Sequence, residues 1–367
     1  LLLKKATPVA ILLLLLTIGV AFANGANDVS KGVATLVGAG LATERRAISW
    51  GTAWTLLGVV GAMYLSQGLI QMFSGASLLV APPSTLAWPI AATVGVIGWL
   101  VIATRAGLPV STTHALVGAI IGAGLVASGP GGVRWSALFH TVAVPMLLSP
   151  ILALGLVVGT LPAVGTLFRR LGGYCVCVER TAHVLVPVGP GLAQPCDQGL
   201  HVIAGAACPP QVMTRLNALD SLHWLTAGLT SLARGLNDAP KIVALGLAAG
   251  ATLGLGTTPM MALVAAAMGA GSYIAGRRVT GTLATKVTPM SGSEALTANG
   301  ATSVLVGLAS LYGIPVSTTH VSTGTVIAVG LHRREVRWRL VGEMLLAWLV
   351  TLPVAAALAA VSYAALR

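Results

Sequence analysis

Seven stretches of this chain, 8–23, 47–65, 86–103, 135–161, 260–275, 296–312 and 338–363, are apolar over a length near or beyond the ~20 residues that cross a bilayer as a helix. Tight packing in a soluble core accounts for one or two such runs, not for seven. The chain is therefore read as an all-α polytopic membrane protein. Charge agrees: 8% of residues are charged and mean hydropathy is +0.89, against ~25% charged residues in ordinary soluble domains. A transmembrane β-barrel would alternate polar and apolar residues over ten-residue segments, and no such pattern is present. Glycine at 45 positions with only 5% aromatics suits helices that approach closely through small residues. The first run meets no small-residue cleavage site before the polar stretch 24–31, so it is expected to be a retained helix rather than a signal peptide. The net charge of +12 does not form a basic stripe with interleaved aromatics, which excludes a nucleic-acid partner. The arginines fall between the apolar runs, where they set topology.

The chain repeats itself. PVSTTH stands at 109–114 and again, 206 positions on, at 315–320; GANDVSKG at 25–32 is matched by GLNDAPKI at 235–242, 210 positions on. Two motifs recurring in one order divide the chain into repeats at 1–167 and 218–367. They are joined by 168–217, a less hydrophobic stretch rich in Gly, Pro and Cys that reads as a linker. Loop charge changes sides between the copies. Glu44-Arg45-Arg46 aligns with neutral Gly254-Leu255-Gly256, and Arg277-Arg278 with the neutral stretch 67–71. With five crossings per repeat and both termini outside, Arg45, Arg46, Arg105, Arg277, Arg278, Arg333 and Arg334 fall on the cytoplasmic side with the linker. Lys4, Lys5, Arg134 and Arg367 fall outside. This is the positive-inside distribution of inverted repeats, and an odd number of crossings per repeat requires the same inversion. Inverted repeats are a transporter architecture in which broken or re-entrant helices meet at a site near the membrane midplane.

The repeated motifs are candidates for that site. A carboxylate at the centre of a membrane helix costs ~2.5–3.5 kcal/mol on insertion scales, so Asp28 and Asp238 must face a site or a partner. Lys31 and Lys241, one turn on, are the partner alternative. Gly25, Gly32, Gly235 and Pro240 would permit a helix break around Asn27-Asp28 and Asn237-Asp238. Pro109 and Pro315 precede Ser111, Thr112, Thr113 and Ser317, Thr318, Thr319, which would occupy a helix cap and first turn. There they either cap the helix or, with free N–H groups and the positive dipole end, bind an anion. His114 and His320 could donate to an anion, relay a proton or brace the turn. Asp28 and Asp238 would repel an oxyanion unless a cation bound with it. Na⁺ on the two carboxylates and freed carbonyls, or a proton on a desolvated Asp, resolves the conflict and argues for symport. Glu294 aligns with Trp88 and so breaks the repeat; it is either a further coupling-ion ligand or a helix-start acid. Cys175, Cys177, Cys196 and Cys208 fall in the linker without the C-x₂-C spacing of a zinc site. There is no Walker A lysine motif and no G-x-S-x-G elbow, so neither an ATP-driven pump nor a hydrolase is supported, and the chain is not read as an enzyme.

At GANDVSKG, GLNDAPKI and both PVSTTH strings the chain closely resembles the inorganic phosphate transporter (Pit) family of secondary carriers, over essentially all of its length outside 168–217. The resemblance implies that Asn27, Asp28, Ser111, Thr112, Thr113, Asn237, Asp238, Ser317, Thr318 and Thr319 line the phosphate and coupling-ion site, and that Glu294 is the family's acid in the second half. Many members carry a Glu in the second apolar segment of the first half, where this chain reads WGTAWTLLG; that departure tilts the coupling from Na⁺ toward H⁺. The expectation is import of inorganic phosphate across a bacterial cytoplasmic (inner) membrane by alternating access, with H⁺ or Na⁺ as coupling cation. A divalent metal co-transported with the phosphate belongs to the same expectation, as does a homodimer in the lipid bilayer; no covalent cofactor is expected. A sulfate permease, an uncoupled anion channel and a phosphate sensor that moves nothing are the alternatives. Asp28 and Asp238 can accept the proton that phosphate carries and sulfate lacks, which favours phosphate.

Overall fold

The computed structural model describes residues 2–171, 174–178, 186–187, 193–194, 200–204, 214–286 and 290–367, nearly all of them helical. The first half holds α1 (Leu2–Gly38), α2 (Glu44–Leu65), α3 (Gln67–Phe73), α4 (Ala87–Ala106), α5 (Thr112–Ser128) and α6 (Trp135–Ala137), which runs through a π-turn at Leu138–Ala143 into α7 (Val144–Leu171). The second half repeats the order: α8 (Ala218–Leu253), α9 (Thr257–Ala275), α10 (Arg277–Lys286), α11 (Gly292–Leu311), α12 (Thr318–Arg333) and α13 (Trp338–Leu366). Six helices among the described residues are long and apolar enough to cross a membrane. The chain is a multi-pass membrane protein.

The stretch between the halves is more than a plain connection. β1 (Tyr174–Val178) lies between β4 (Leu200–Ala204) and β5 (Thr214–Asn217) in an antiparallel sheet, and β2 (Val186–Pro187) pairs with β3 (Ala193–Gln194). Cys175 and Cys177 lie on β1, opposite Ile203 and His201. Cys196 and Cys208 lie outside the described residues.

Glycines decide how the long helices meet. α1 packs on α9, and α8 on α2. A Cβ at Gly25 would collide with the Met268 carbonyl and one at Gly235 with the Thr55 carbonyl; Gly271 and Gly58 are pressed in the same way against Phe22 and Leu232. The same approaches thus occur once in each direction. They also correct an expectation. α1 and α8 are continuous helices through Asn27-Asp28 and Asn237-Asp238, because these glycines serve backbone contact rather than a break. Pro240 is accommodated inside α8.

The breaks lie in the other motif. α4 ends at Gly107, φ +72°, and the chain runs extended through Pro109 to Ser111 before α5 begins; Gly313, φ +67°, opens the matching connection between α11 and α12. A left-handed residue at a helix end favours Gly, so the two glycines fix where each pair folds back. α4 packs along α5, and the segments at their far ends are joined by a bridge between Leu79 and Val133. The last helix of each half crosses over: α13 lies on the α4–α5 pair and α7 on the α11–α12 pair. Gly118 against the Leu352 carbonyl and Gly324 against the Pro150 carbonyl make the two crossings equivalent.

Candidate functional site

The middles of α1 and α8 and the tips of the two helix pairs converge on one buried polar cluster. Asp28 and Asp238 are 0% and 1% exposed, and a single amide lies between them: Asn24 Nδ2 donates to Asp28 Oδ2 at 3.1 Å and to Asp238 Oδ2 at 3.2 Å. The same nitrogen is 2.9 Å from Thr112 Oγ1, which in turn donates to Asp28 Oδ2 at 3.3 Å. Carboxylates from opposite halves of the chain are thus neighbours, although 210 residues separate them in sequence.

The tips are fastened to α1 and α8 and to each other. Asn27 Nδ2 donates to the Leu108 carbonyl (2.9 Å) and Thr104 Oγ1 (3.2 Å), and its Oδ1 accepts from the Val110 N–H (3.3 Å). In the second half Asn237 Nδ2 donates to the Val316 carbonyl (3.2 Å), and its Oδ1 accepts from Ser310 Oγ (3.4 Å). Between tips, Thr113 Oγ1 donates to the Val316 carbonyl (3.2 Å) and Thr319 Oγ1 to the Val110 carbonyl (2.9 Å). Ser317 Oγ donates to Ser111 Oγ at 2.8 Å. The Val110 and Val316 carbonyls, freed where the chain leaves helical geometry, are therefore shared between donors of their own half and of the opposite one.

Both serines cap their helices. Ser111 Oγ accepts from the His114 N–H and Ser317 Oγ from the His320 N–H. The remaining first-turn N–H groups of α5 and α12 stand at two helix ends of the kind that bind oxyanions, while the hydroxyls of Thr112, Thr113 and Thr319 donate within the cluster. His114 and His320 lie beside the caps with ring centroids 4.3 Å apart. His114 Nδ1 is 2.8 Å from Ser111 Oγ, and His320 stacks on Trp348 of α13 at 3.7 Å.

The lysines join the same cluster. Lys31 is ion-paired with Asp28 and donates to the Val110 carbonyl at 3.0 Å. Lys241 donates to Thr113 Oγ1 (2.8 Å) and the Val316 carbonyl (2.9 Å), with Asp238 Oδ1 3.9 Å away. The partner alternative stated for these residues is present, since both carboxylates have cationic partners, and the pairs stand at the junction of the halves. A cleft of about 670 Å³, including its open mouth, runs from Gly38 and Ala39 at the end of α1 to Lys31, Pro109 and Thr319.

Glu294 is not part of this cluster. It begins α11, where it forms a reciprocal capping box with Ser291 and pairs with Arg333 at 2.7 Å. Leu311 at the far end of α11 is 17 residues on, ~25 Å at the helical rise. Asn24, Thr104 and Ser310 join the network without having been singled out, and Arg234 lies on α8 one turn before Asp238. Their signal was spacing: Asn24 and Arg234 lie one turn before Asp28 and Asp238.

A family model described as the phosphate transporter family matches residues 24–359. The chain belongs to the phosphate transporter family. Among its relatives, a Mycobacterium bovis protein named "Probable low-affinity inorganic phosphate transporter" is 30% identical over 353 residues, 93% of this chain and 74% of the relative. A Rhizobium meliloti protein of the same name is 28% identical over 355 residues, 93% of this chain and 92% of the relative. A solved structure described as the sodium-dependent phosphate transporter superposes with a TM-score of 0.78 over 98% of this chain and 99% of its own, at 22% identity. That likeness extends this family member's fold over nearly its whole length, including both helix pairs.

Proposed function

We propose that the chain is a secondary active symporter that imports inorganic phosphate together with H⁺ or Na⁺, by alternating access of two inverted repeats, 1–167 and 218–367, about one shared site. The observation that carries this reading is the amide of Asn24 held between Asp28 and Asp238 while Thr112 contacts both the amide and Asp28. Two carboxylates set against two helix ends repel an anion when alone and hold it when a cation or proton neutralises them. Binding of one then favours binding of the other, which is the thermodynamic content of coupling.

Each side chain has a place in that cycle. The first-turn N–H groups of α5 and α12 and the Thr318 hydroxyl receive phosphate oxygens, and the hydroxyls of Thr112, Thr113 and Thr319 turn to them from their present acceptors. Asp28 and Asp238 hold the coupling cation, or accept the proton that distinguishes hydrogen phosphate from sulfate. Lys31 and Lys241 neutralise the carboxylates while the site is empty, and His114 and His320 keep the two tips in register. The cleft that ends at Lys31 and Thr319 reaches Gly38 and Ala39 at the α1–α2 connection, which Arg45 and Arg46 follow in the chain, so we read this state as facing the cytoplasm on the positive-inside rule. Names of the bacterial relatives support phosphate as cargo.

Reconstituted liposomes test the reading. Uptake of ³²P-phosphate should be saturable and driven by an imposed Na⁺ gradient or an imposed pH gradient. Excess sulfate should compete poorly. Passive equilibration without coupling would make the protein an anion channel, and uptake blocked by sulfate but not by excess phosphate would make it a sulfate carrier.

A further inference from the structure

Arg234 stands at the centre of the molecule with most of its donors unused. The side chain is 1% exposed, and its Nη2 donates to Thr55 Oγ1 at 2.8 Å. Nε and Nη1 are buried without a hydrogen-bond partner. Among the described residues no carboxylate lies within ion-pair distance of it: Asp28 is taken by Lys31, and Asp238 lies nearest Lys241. α2, which supplies Thr55, has no acid along its length beyond Glu44 in its first turn.

Position gives this guanidinium its meaning. It lies one helical turn before Asp238, as Asn24 does before Asp28, and so shares a face of α8 with that carboxylate. The cluster therefore contains three formal cations, Lys31, Lys241 and Arg234, against two carboxylates. One positive charge is left over, and the Arg234 side chain that carries it is buried. An uncompensated buried charge is costly, and the resting state retains it. The group is also the planar donor best suited to two oxygens of a phosphate.

We infer that Arg234 is an oxyanion-binding residue of this chain, a tethered cation whose missing partner is the transported phosphate. The inference rests on the phosphate reading above. It makes the two halves unequal in role. The first half offers a neutral amide at the matching position and the second a fixed positive charge. That charge adds to the attraction for the anion once the coupling cation or proton has neutralised the carboxylates.

The test is thermal unfolding and phosphate binding of the purified chain in lipid nanodiscs, with Arg234→Gln, Arg234→Lys and Thr55→Val beside the wild type. Removing an unpaired buried charge should leave unliganded Arg234→Gln at least as stable as the wild type while weakening phosphate binding by about tenfold or more. Arg234→Lys keeps the charge, loses the fork and should fall between them. Thr55→Val removes the one protein partner and should lower unliganded stability while phosphate still binds. If Arg234→Gln and Arg234→Lys both bind phosphate as tightly as the wild type, Arg234 only packs α8 on α2 and the inference is overturned. If phosphate neither binds nor stabilises the wild type, the phosphate reading falls, and this inference with it.

Discussion

The two Asn-Asp motifs are near copies in sequence but not in geometry. In the first half Lys31 closes on Asp28; in the second Lys241 turns away to Thr113 and stands 3.9 Å from Asp238. One turn earlier the first half has Asn24, whose amide binds both carboxylates, and the second has Arg234, which binds neither. The two halves thus share their glycine-to-carbonyl contacts and differ in their charges. The repeat builds the cavity, and the departures from it give the site its polarity.

The comparison is broken most forcefully at the carboxylates. Asp28→Asn and Asp238→Asn should each reduce gradient-driven phosphate uptake in liposomes to background. Their stabilities should differ. Loss of one member of a closed buried pair costs ~3–5 kcal/mol, so Asp28→Asn should melt well below Asp238→Asn, whose lysine is already bound elsewhere. Equal melting points would mean that the two pairs are equivalent.

Next come the glycines, where the halves should behave alike. Gly25→Ala and Gly235→Ala each drive a methyl group into a carbonyl of the facing helix, and both should lose ~1–3 kcal/mol by overpacking. A substitution tolerated in only one half would show that the two packings are not interchangeable. Thr112→Val and Thr318→Val should each weaken phosphate binding by ~1–3 kcal/mol through loss of a buried donor, as measured by calorimetry. Thr112→Val should sit at the upper end, because Thr112 also contacts Asp28 and Asn24. The smallest effect is expected at Glu294. Glu294→Gln should leave coupling intact and lower stability by about 1 kcal/mol or less, the scale of a partly exposed ion pair. Loss of coupling there would return Glu294 to the transport site.

Much of this was legible in the amino-acid order. Apolar runs gave the membrane helices, and two motifs recurring at nearly one spacing drew attention to residues that meet in the buried cluster. The helix starts after Pro109 and Pro315 were legible, but the break expected at the Asn-Asp motifs is absent. Glycines beside Asn27 and Asn237 have the same appearance in sequence whether a helix breaks or packs closely, and only the facing Met268 and Thr55 carbonyls decide between them. The crossing of α7 and α13 to the opposite helix pair also left no sequence signal, since lipid tails are as apolar as the partner helix and specificity comes from fits such as Gly118 on Leu352. Glu294 was readable in another way. Ser291-Gly292-Ser293-Glu294 has the spacing of a capping box, and its mismatch with Trp88 drew the eye to charge rather than to helix initiation. In the linker, Tyr174-Cys-Val-Cys-Val178 has strand-like residues in a composition that otherwise reads as a connection.

The central claim is that two halves of one chain build a single phosphate site. Equilibrium binding of labelled phosphate to the purified protein tests it most directly, with Thr112→Val and Thr318→Val measured beside the wild type. One phosphate per chain, weakened by either substitution, is the predicted result. Two phosphates per chain, or a site that responds to only one of the two substitutions, would contradict it.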